Sequence, residues 1–218
     1  MSPSLNLQAV HPALHEQARG AFDAGDVMLL LISCMDRQMQ LGFVVDNIVT
    51  LKKRGIYEPC LLEAFTNAKT NFYNWSDIVL SFLFRTADRK RLLESGDLLP
   101  EQETFRLYRG VAGVGRWRRP RGFSWTLSLD VACWFAVRFD LANPAVMSVE
   151  VPRDTVLAYM NDRHEEEILC RPETAERMSL SSEELAVHAR HQTEAVEARN
   201  AELWATRKAV TQADPVAN

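Results

Sequence analysis

The texture of this chain changes at Pro100, and that change limits the available folds more than any single motif does. Before it, apolar residues recur at helical spacing between helix-type punctuation. After it come short runs of β-branched and aromatic residues bounded by Gly, Pro, Asn and Asp. In the first part, 11–24 reads as a helix ended by Gly25, because glycine accepts the left-handed conformation at a helix end. Asp26 caps a long apolar segment (Leu29, Ile32, Met39, Val44, Ile48) that runs toward Lys53 and stops at Gly55, with a break expected near Gly42. Pro59 suits the first turn of a helix through Ala68. Ser76 caps a helix over 77–85, and Asp88 caps a short one stopped by Gly96.

The second part predicts strands over 104–108, 145–151, 155–160 and 166–170, with a further short strand at Ser124-Trp125-Thr126. Among them lies a helix over 131–139, capped by Ser128 or Asp130. A last helix runs from Ser182 to about Val210, and the tail at 212–218 is expected to fray. The fold class is therefore α+β: a helical region over 1–100, a small mixed or antiparallel sheet over 101–180, and a C-terminal helix and tail over 181–218. These are expected to form one compact domain.

Composition excludes little. Hydrophobic content of 47% and charged content of 25% are those of an ordinary globular protein, and the net charge of −4 makes no general case for nucleic acid. The amino terminus has no basic run followed by an apolar core, and the longest apolar run, 27–32, is far short of the roughly 20 residues that cross a bilayer. Four widely spaced cysteines (Cys34, Cys60, Cys133, Cys170) read as reduced, buried thiols. The expected location is the cytoplasm, or a target cell reached without a classical signal peptide.

The chemistry concentrates in Asp162-Arg163-His164-Glu165-Glu166-Glu167-Ile168-Leu169. If Glu165 to Leu169 is a strand, Glu165 and Glu167 share one face and Glu166 takes the other. Two carboxylates side by side suit chemistry at a developing positive charge. A solvated charge run is the bland alternative, but Ile168-Leu169-Cys170 follow at once and read as core. Arg109 is the candidate cation: it ends a β-like run, and a guanidinium there can fork onto phosphate or carboxylate. Gly110 after it would let a ligand approach the backbone. Ser124 and Thr126 alternate along a strand, so both hydroxyls face one way and can orient an arginine or a glutamate.

Other patterns carry less. Gly110, Gly113 and Gly115 have the wrong spacing for a dinucleotide fingerprint, no serine-hydrolase elbow surrounds Ser124, and there is no phosphate loop. His188 and His191 lie three apart without nearby cysteine and read as surface residues. The basic stretch at 116–121 reads as a solvated loop, with a grip on phosphate or nucleic acid as the rival.

Together the three pieces resemble the mono-ADP-ribosyltransferase superfamily, in its arginine–serine–glutamate branch related to cholera toxin and the clostridial binary toxins. Tyr108-Arg109-Gly110 is similar to the first-strand arginine motif. Phe123-Ser124-Trp125-Thr126-Leu127-Ser128, with Ala132 and Trp134-Phe135-Ala136 beyond, is similar to the serine-threonine-serine strand and its helix. Glu165-Glu166-Glu167-Ile168-Leu169, then Pro172, resembles the Glu-x-Glu strand of arginine-modifying members. Order and spacing agree: Ser124 follows Arg109 by 15 residues and Glu167 follows Ser124 by 43. The resemblance covers 105–172. One departure is that the triplet is spread out here, so Ser124 or Thr126 fits the key serine's place; Ser124 is favoured because bacterial and phage members carry a similar Ser-Trp-Thr strand.

The resemblance implies an NAD-dependent mono-ADP-ribosyltransferase that modifies arginine on a protein, without metal. Arg109 would contact the NAD diphosphate or adjoining ribose, and the Gly110 backbone would hold the nicotinamide amide. Ser124, or Thr126 in its place, would orient Glu167. Glu167 would bind the ribose 2′-hydroxyl and stabilise the oxocarbenium-like transition state. Glu165 would bind the acceptor guanidinium and help remove its proton. Phe135 or Trp125 would pack near the nicotinamide. A protein bearing an acceptor arginine is the expected partner, with an immunity or inhibitor protein as a further one; nucleic acid ranks below these, and no membrane partner is expected. The rival readings are an NAD glycohydrolase, a transferase acting on nucleic acid or a small molecule, and a catalytically silent binding module.

Overall fold

The structure, a computed structural model, describes residues 4–68, 75–115, 118–161 and 163–213, with side chains to 206 in the last helix. Its contacts gather into two units: the chain up to Pro100 together with Leu157–Tyr159, and Glu101–Val156 together with the chain from Met160 onward.

The first unit is helical. A single 3-10 turn, Pro12–Leu14, leads into α1 (His15–Ala24), which Gly25 ends at φ +77°. The long apolar segment does not run through to Lys53, and Gly42 does not break it. It divides at two other places, each chosen by a polar side chain. A π-helical turn, Leu29–Ser33, gives way at Asp36, whose carboxylate accepts from the Gln38 N–H and starts α2 (Arg37–Asp46). At Asn47 the side-chain amide donates to the carbonyls of Phe43 and Asn6 and accepts from the Asn6 N–H, so the chain turns there before α3 (Ile48–Arg54). Gly42 sits unhindered inside α2. Then come α4 (Tyr57–Asn67), α5 (Asp77–Thr86) capped by Ser76, and α6 (Arg89–Ser95) capped by Asp88. Leu30, Leu41, Phe43, Leu51, Leu61, Phe65 and Leu83 form its core.

The second unit carries β1 (Thr104–Val111), β2 (Ser124–Thr126), β3 (Ala145–Pro152), β5 (Glu167–Leu169) and β6 (Glu176–Arg177), in the order β5-β2-β1-β3-β6, while β4 (Ala158–Met160) falls mostly in the first unit. The β1–β2, β1–β3, β2–β5 and β3–β6 pairs are antiparallel. The architecture is thus α+β, with a helical amino-terminal half, an antiparallel sheet and a carboxy-terminal helix. The start of the expected 155–160 strand is instead a 3-10 turn, Arg153–Thr155, and β6 was not legible in the sequence.

Helix α7 (Leu129–Val137) is capped by the Ser128 hydroxyl, which accepts from the Val131 N–H, and it ends two residues earlier than its apolar run suggests. The final helix α8 (Ser182–Ala213) starts on a capping box, Ser181 with Glu184. Ala132, Cys133 and Ala136 of α7 pack with Leu185 and Ala189 of α8 and with Val146 of β3, and Tyr108 lies against the same cluster. Small residues on both helices allow that close approach. No helix among the described residues is long and apolar enough to cross a membrane.

Candidate active site

The three motif segments occupy three neighbouring strands, β5-β2-β1, in the middle of the sheet. Register then decides which side chains meet. Thr126 stands opposite Glu167 and Ser124 opposite Leu169, so all four share one face. Ser124 is the diagonal neighbour of Glu167 on that face. Its hydroxyl donates to Glu167 Oε1. Glu167 is 4% exposed, so this carboxylate sits within the packed sheet rather than on a solvated run.

Thr126 does different work. Its hydroxyl donates to the Glu165 carbonyl at 2.7 Å and accepts from the Ser128 N–H at 3.0 Å. It therefore ties the turn before β5 to the entry of α7, while Ser124 is the hydroxyl that reaches the Glu167 carboxylate.

Glu165 is not in a strand. Strand β5 begins at Glu167, and Glu165 lies in a bend between His164 (φ +53°) and Glu166 (φ +46°). The expected face-sharing of Glu165 and Glu167 by strand alternation is thus replaced by a turn. The cause is local competition for backbone groups. Thr126 takes the Glu165 carbonyl, the Leu127 N–H takes the Glu166 carbonyl, the Asn161 side chain accepts from the Glu166 N–H, and the Asn161 carbonyl accepts from His164. Left-handed conformations at non-glycine residues cost free energy and concentrate where function holds them in place. Asp162 of the same motif lies outside the described residues.

Arg109 and Gly110 split across the sheet. Tyr108 stands opposite Thr126, so Tyr108 and Gly110 face the Ser124/Glu167 side and Arg109 alternates to the other. Arg109 is half-buried, and its guanidinium donates to the carbonyls of Arg119 (3.0 Å, from Nε) and Ser124 (from Nη1). It therefore buttresses Ser124 from behind, through the main chain. Gly122 makes room for it: a Cβ there would stand 2.6 Å from Arg109 Nη2.

The space that a side chain would take at Gly110 is filled by α7. A Cβ at Gly110 would lie 2.0 Å from the Ala132 carbonyl oxygen, 2.6 Å from the Ala136 nitrogen and 2.9 Å from Phe135 Cβ. Glycine is needed there so that the backbone of α7 can rest on β1. The same contact brings Phe135 to the Gly110 side of the sheet. Phe135 is half-buried, stacks edge-on against Trp134 and lies under the Arg138 guanidinium at 4.2 Å. Trp125 is core: it is 2% exposed and its Nε1 donates to the Gly122 carbonyl at 2.8 Å.

In the basic stretch, Arg116 and Trp117 lie outside the described residues. Arg118 donates to the Asn143 carbonyl, and Arg121 donates to the Glu173 carbonyl at 3.1 Å. These two guanidiniums brace loops. All four cysteines are free thiols and buried; burial pushes Cys60, Cys133 and Cys170 up to about 12 and raises Cys34 as well. None is poised as a nucleophile.

Sequence reasoning missed two contributors to this arrangement. Asn161 organises the turn that carries Glu165 and Glu166, and Arg119 offers the carbonyl that holds Arg109. Both act through pairings that appear only once the chain is folded. Compared with known proteins, the chain matches no family profile, no curated protein and no solved structure.

Proposed function

We propose that this chain is an NAD-dependent mono-ADP-ribosyltransferase that transfers ADP-ribose to arginine on a protein and releases nicotinamide. The observation that carries this reading is the hydrogen bond from Ser124 Oγ to the buried Glu167 carboxylate, made where the strands bearing Arg109, Ser124 and Glu167 lie side by side. A carboxylate oriented before substrate arrives needs little reorganisation as charge develops. Glu167 accepts a hydrogen bond from the 2′-hydroxyl of the nicotinamide ribose and stabilises the ring cation as the glycosidic C–N bond breaks and nicotinamide leaves with the electron pair. A guanidinium nitrogen of the acceptor then attacks the anomeric carbon, and Glu165 takes the proton it loses. Phe135, on the same side of the sheet as Ser124, frames the nicotinamide, whose amide the Gly110 backbone holds. Arg109, on the other face of the sheet, steadies Ser124 through its main chain.

One observation favours a second reading, an NAD glycohydrolase. Glu165 sits in a turn rather than in the strand that fixes Glu167, so the group assigned to the acceptor is held less rigidly than the group assigned to the ribose. Water would then intercept the cation. A transferase acting on nucleic acid has less support, because Arg118 and Arg121 are committed to backbone carbonyls.

The deciding experiment is nicotinamide release from NAD, with and without an arginine-rich acceptor, in wild type and Glu167→Ala. Release that needs Glu167 and rises with acceptor supports the transferase. Release that needs Glu167 but ignores acceptor supports the hydrolase. Release that survives Glu167→Ala, or none in any condition, sinks both readings.

A further inference from the structure

Apart from the candidate site, one set of donor side chains converges from two different helices. Asp130 lies in the first turn of α7, and His188 and His191 lie one turn apart on α8. His188 Nδ1 stands 2.5 Å from Asp130 Oδ1, and His191 Nδ1 stands 3.7 Å from Asp130 Oδ2. One ligand atom from each of the three lies within 4.8 Å of the others. The two rings meet edge-on, with centroids 6.2 Å apart.

A simple helix-to-helix staple needs one histidine and one carboxylate. Here two histidines turn the same ring nitrogen toward the same carboxylate, one to each oxygen. We propose that Asp130, His188 and His191 form a binding site for a divalent transition-metal ion, with zinc the best match, which clamps α8 against α7. Imidazole nitrogen with carboxylate oxygen is a donor set for zinc, nickel, cobalt or copper rather than for magnesium or calcium. Zinc with bonds of about 2.0–2.1 Å places its ligand atoms roughly 3.3 Å apart, so small side-chain rotations bring this set to tetrahedral spacing, with water completing the shell. The backbone beneath is fixed by the packing of Ala132, Cys133 and Ala136 against Leu185 and Ala189, which keeps the two helices in register without the ion. Glu184, one turn before His188, adds negative charge nearby, although its carboxylate is engaged by Ser181 in the capping box. The site is independent of the NAD reading.

Binding replaces the His188–Asp130 hydrogen bond with bonds to the metal from both imidazole lone pairs and one carboxylate oxygen. Both imidazoles bind through the Nδ1 lone pair.

The test is calorimetric titration of the metal-free full chain with zinc chloride alone. Cobalt(II) absorption serves as a second readout of coordination, and thermal unfolding as a third. The expected result is one ion per chain, a raised melting temperature, and affinity at least about 10-fold weaker in His191→Ala, a substitution at an exposed position that leaves the fold intact. His188→Ala should weaken binding similarly, while His164→Ala should not. Zinc affinity unchanged in His191→Ala and His188→Ala, or no one-to-one binding at micromolar zinc, overturns the proposal.

Discussion

Ser124 meets Glu167 along the diagonal of the β2–β5 pair: Glu167 stands opposite Thr126, yet its Oε1 accepts from the Ser124 hydroxyl. A diagonal bond pulls the carboxylate along the strand, toward the part of β2 that Arg109 braces from behind. Position and orientation of the carboxylate are thereby set by two strands at once.

Removing that hydroxyl therefore tests orientation separately from binding. In Ser124→Ala, turnover of NAD should fall about 100-fold, the scale on which misplacement of a reacting group by an ångström acts, with the KM for NAD little changed. The buried carboxylate also loses a partner, which should lower stability by about 1–3 kcal/mol. Steady-state kinetics with a denaturant melt read both. A large rise in KM with normal turnover would place Ser124 in substrate binding instead.

Glu165→Ala should separate the two half-reactions. Arginine modification should drop by at least about 100-fold while nicotinamide release continues, because only the acceptor's proton transfer loses its base. Labelled NAD with an arginine acceptor, assayed in parallel with nicotinamide release, measures the two in one sample. Equal loss of both would remove the division of labour between Glu165 and Glu167.

At Gly110 the expected effect is structural. Gly110→Ala places a methyl group 2.0 Å from the Ala132 carbonyl oxygen, a backbone atom that moves only if α7 moves. A loss of about 3 kcal/mol or more is expected, at the upper end of overpacking costs. Thermal unfolding of the purified variant measures it. A melting temperature equal to wild type would mean that α7 does not rest on β1 as described.

Alkaline pH should destabilise the protein through its thiols. Burial is the main cause that lifts Cys60, Cys133 and Cys170 from the ordinary 9.0 up to about 12. A folded pKa above the unfolded one means that the neutral thiol's contribution is whole below pH 9 and is lost as pH rises from 9 toward 12. At pH 10.5 each thiol should have lost on the order of 1–2 kcal/mol. Urea midpoints at pH 8 and 10.5, compared between wild type and Cys170→Ala, measure one share directly. An identical pH slope in the two would show that Cys170 is not responsible for its share.

The sequence and the structure agree where local signals are strong and part where tertiary ones decide. Ser76, Asp88 and Ser128 are short polar residues ahead of apolar runs, and each caps the helix that follows it. Gly25 and Gly55 end helices for an equally local reason. The break in the apolar segment was misplaced because Asn47 earns its role from Asn6, 41 residues away. The pairing of Ser124 with Glu167 was implied by the family resemblance; alternation alone put Ser124 and Thr126 on one face and left either free to orient an arginine or a glutamate. Face-sharing of Glu165 with Glu167 holds only if the strand starts at Glu165, and there alternation gives way to Thr126, Leu127 and Asn161, whose hold on that turn exists only in the folded chain. Asp130 and His188 are 58 residues apart, and nothing near either one announces the other.

The seating of α7 on Gly110 also bears on how such a site can change over generations. A wall built from backbone against backbone tolerates almost no substitution, so the side of the site formed by Gly110, Ala132 and Ala136 is closed to gradual remodelling. The turn that carries His164, Glu165 and Glu166 is held by a handful of hydrogen bonds and is open to it. On the transferase proposed above, new acceptors would therefore be acquired by rewriting that turn, while the opposite wall stays constant.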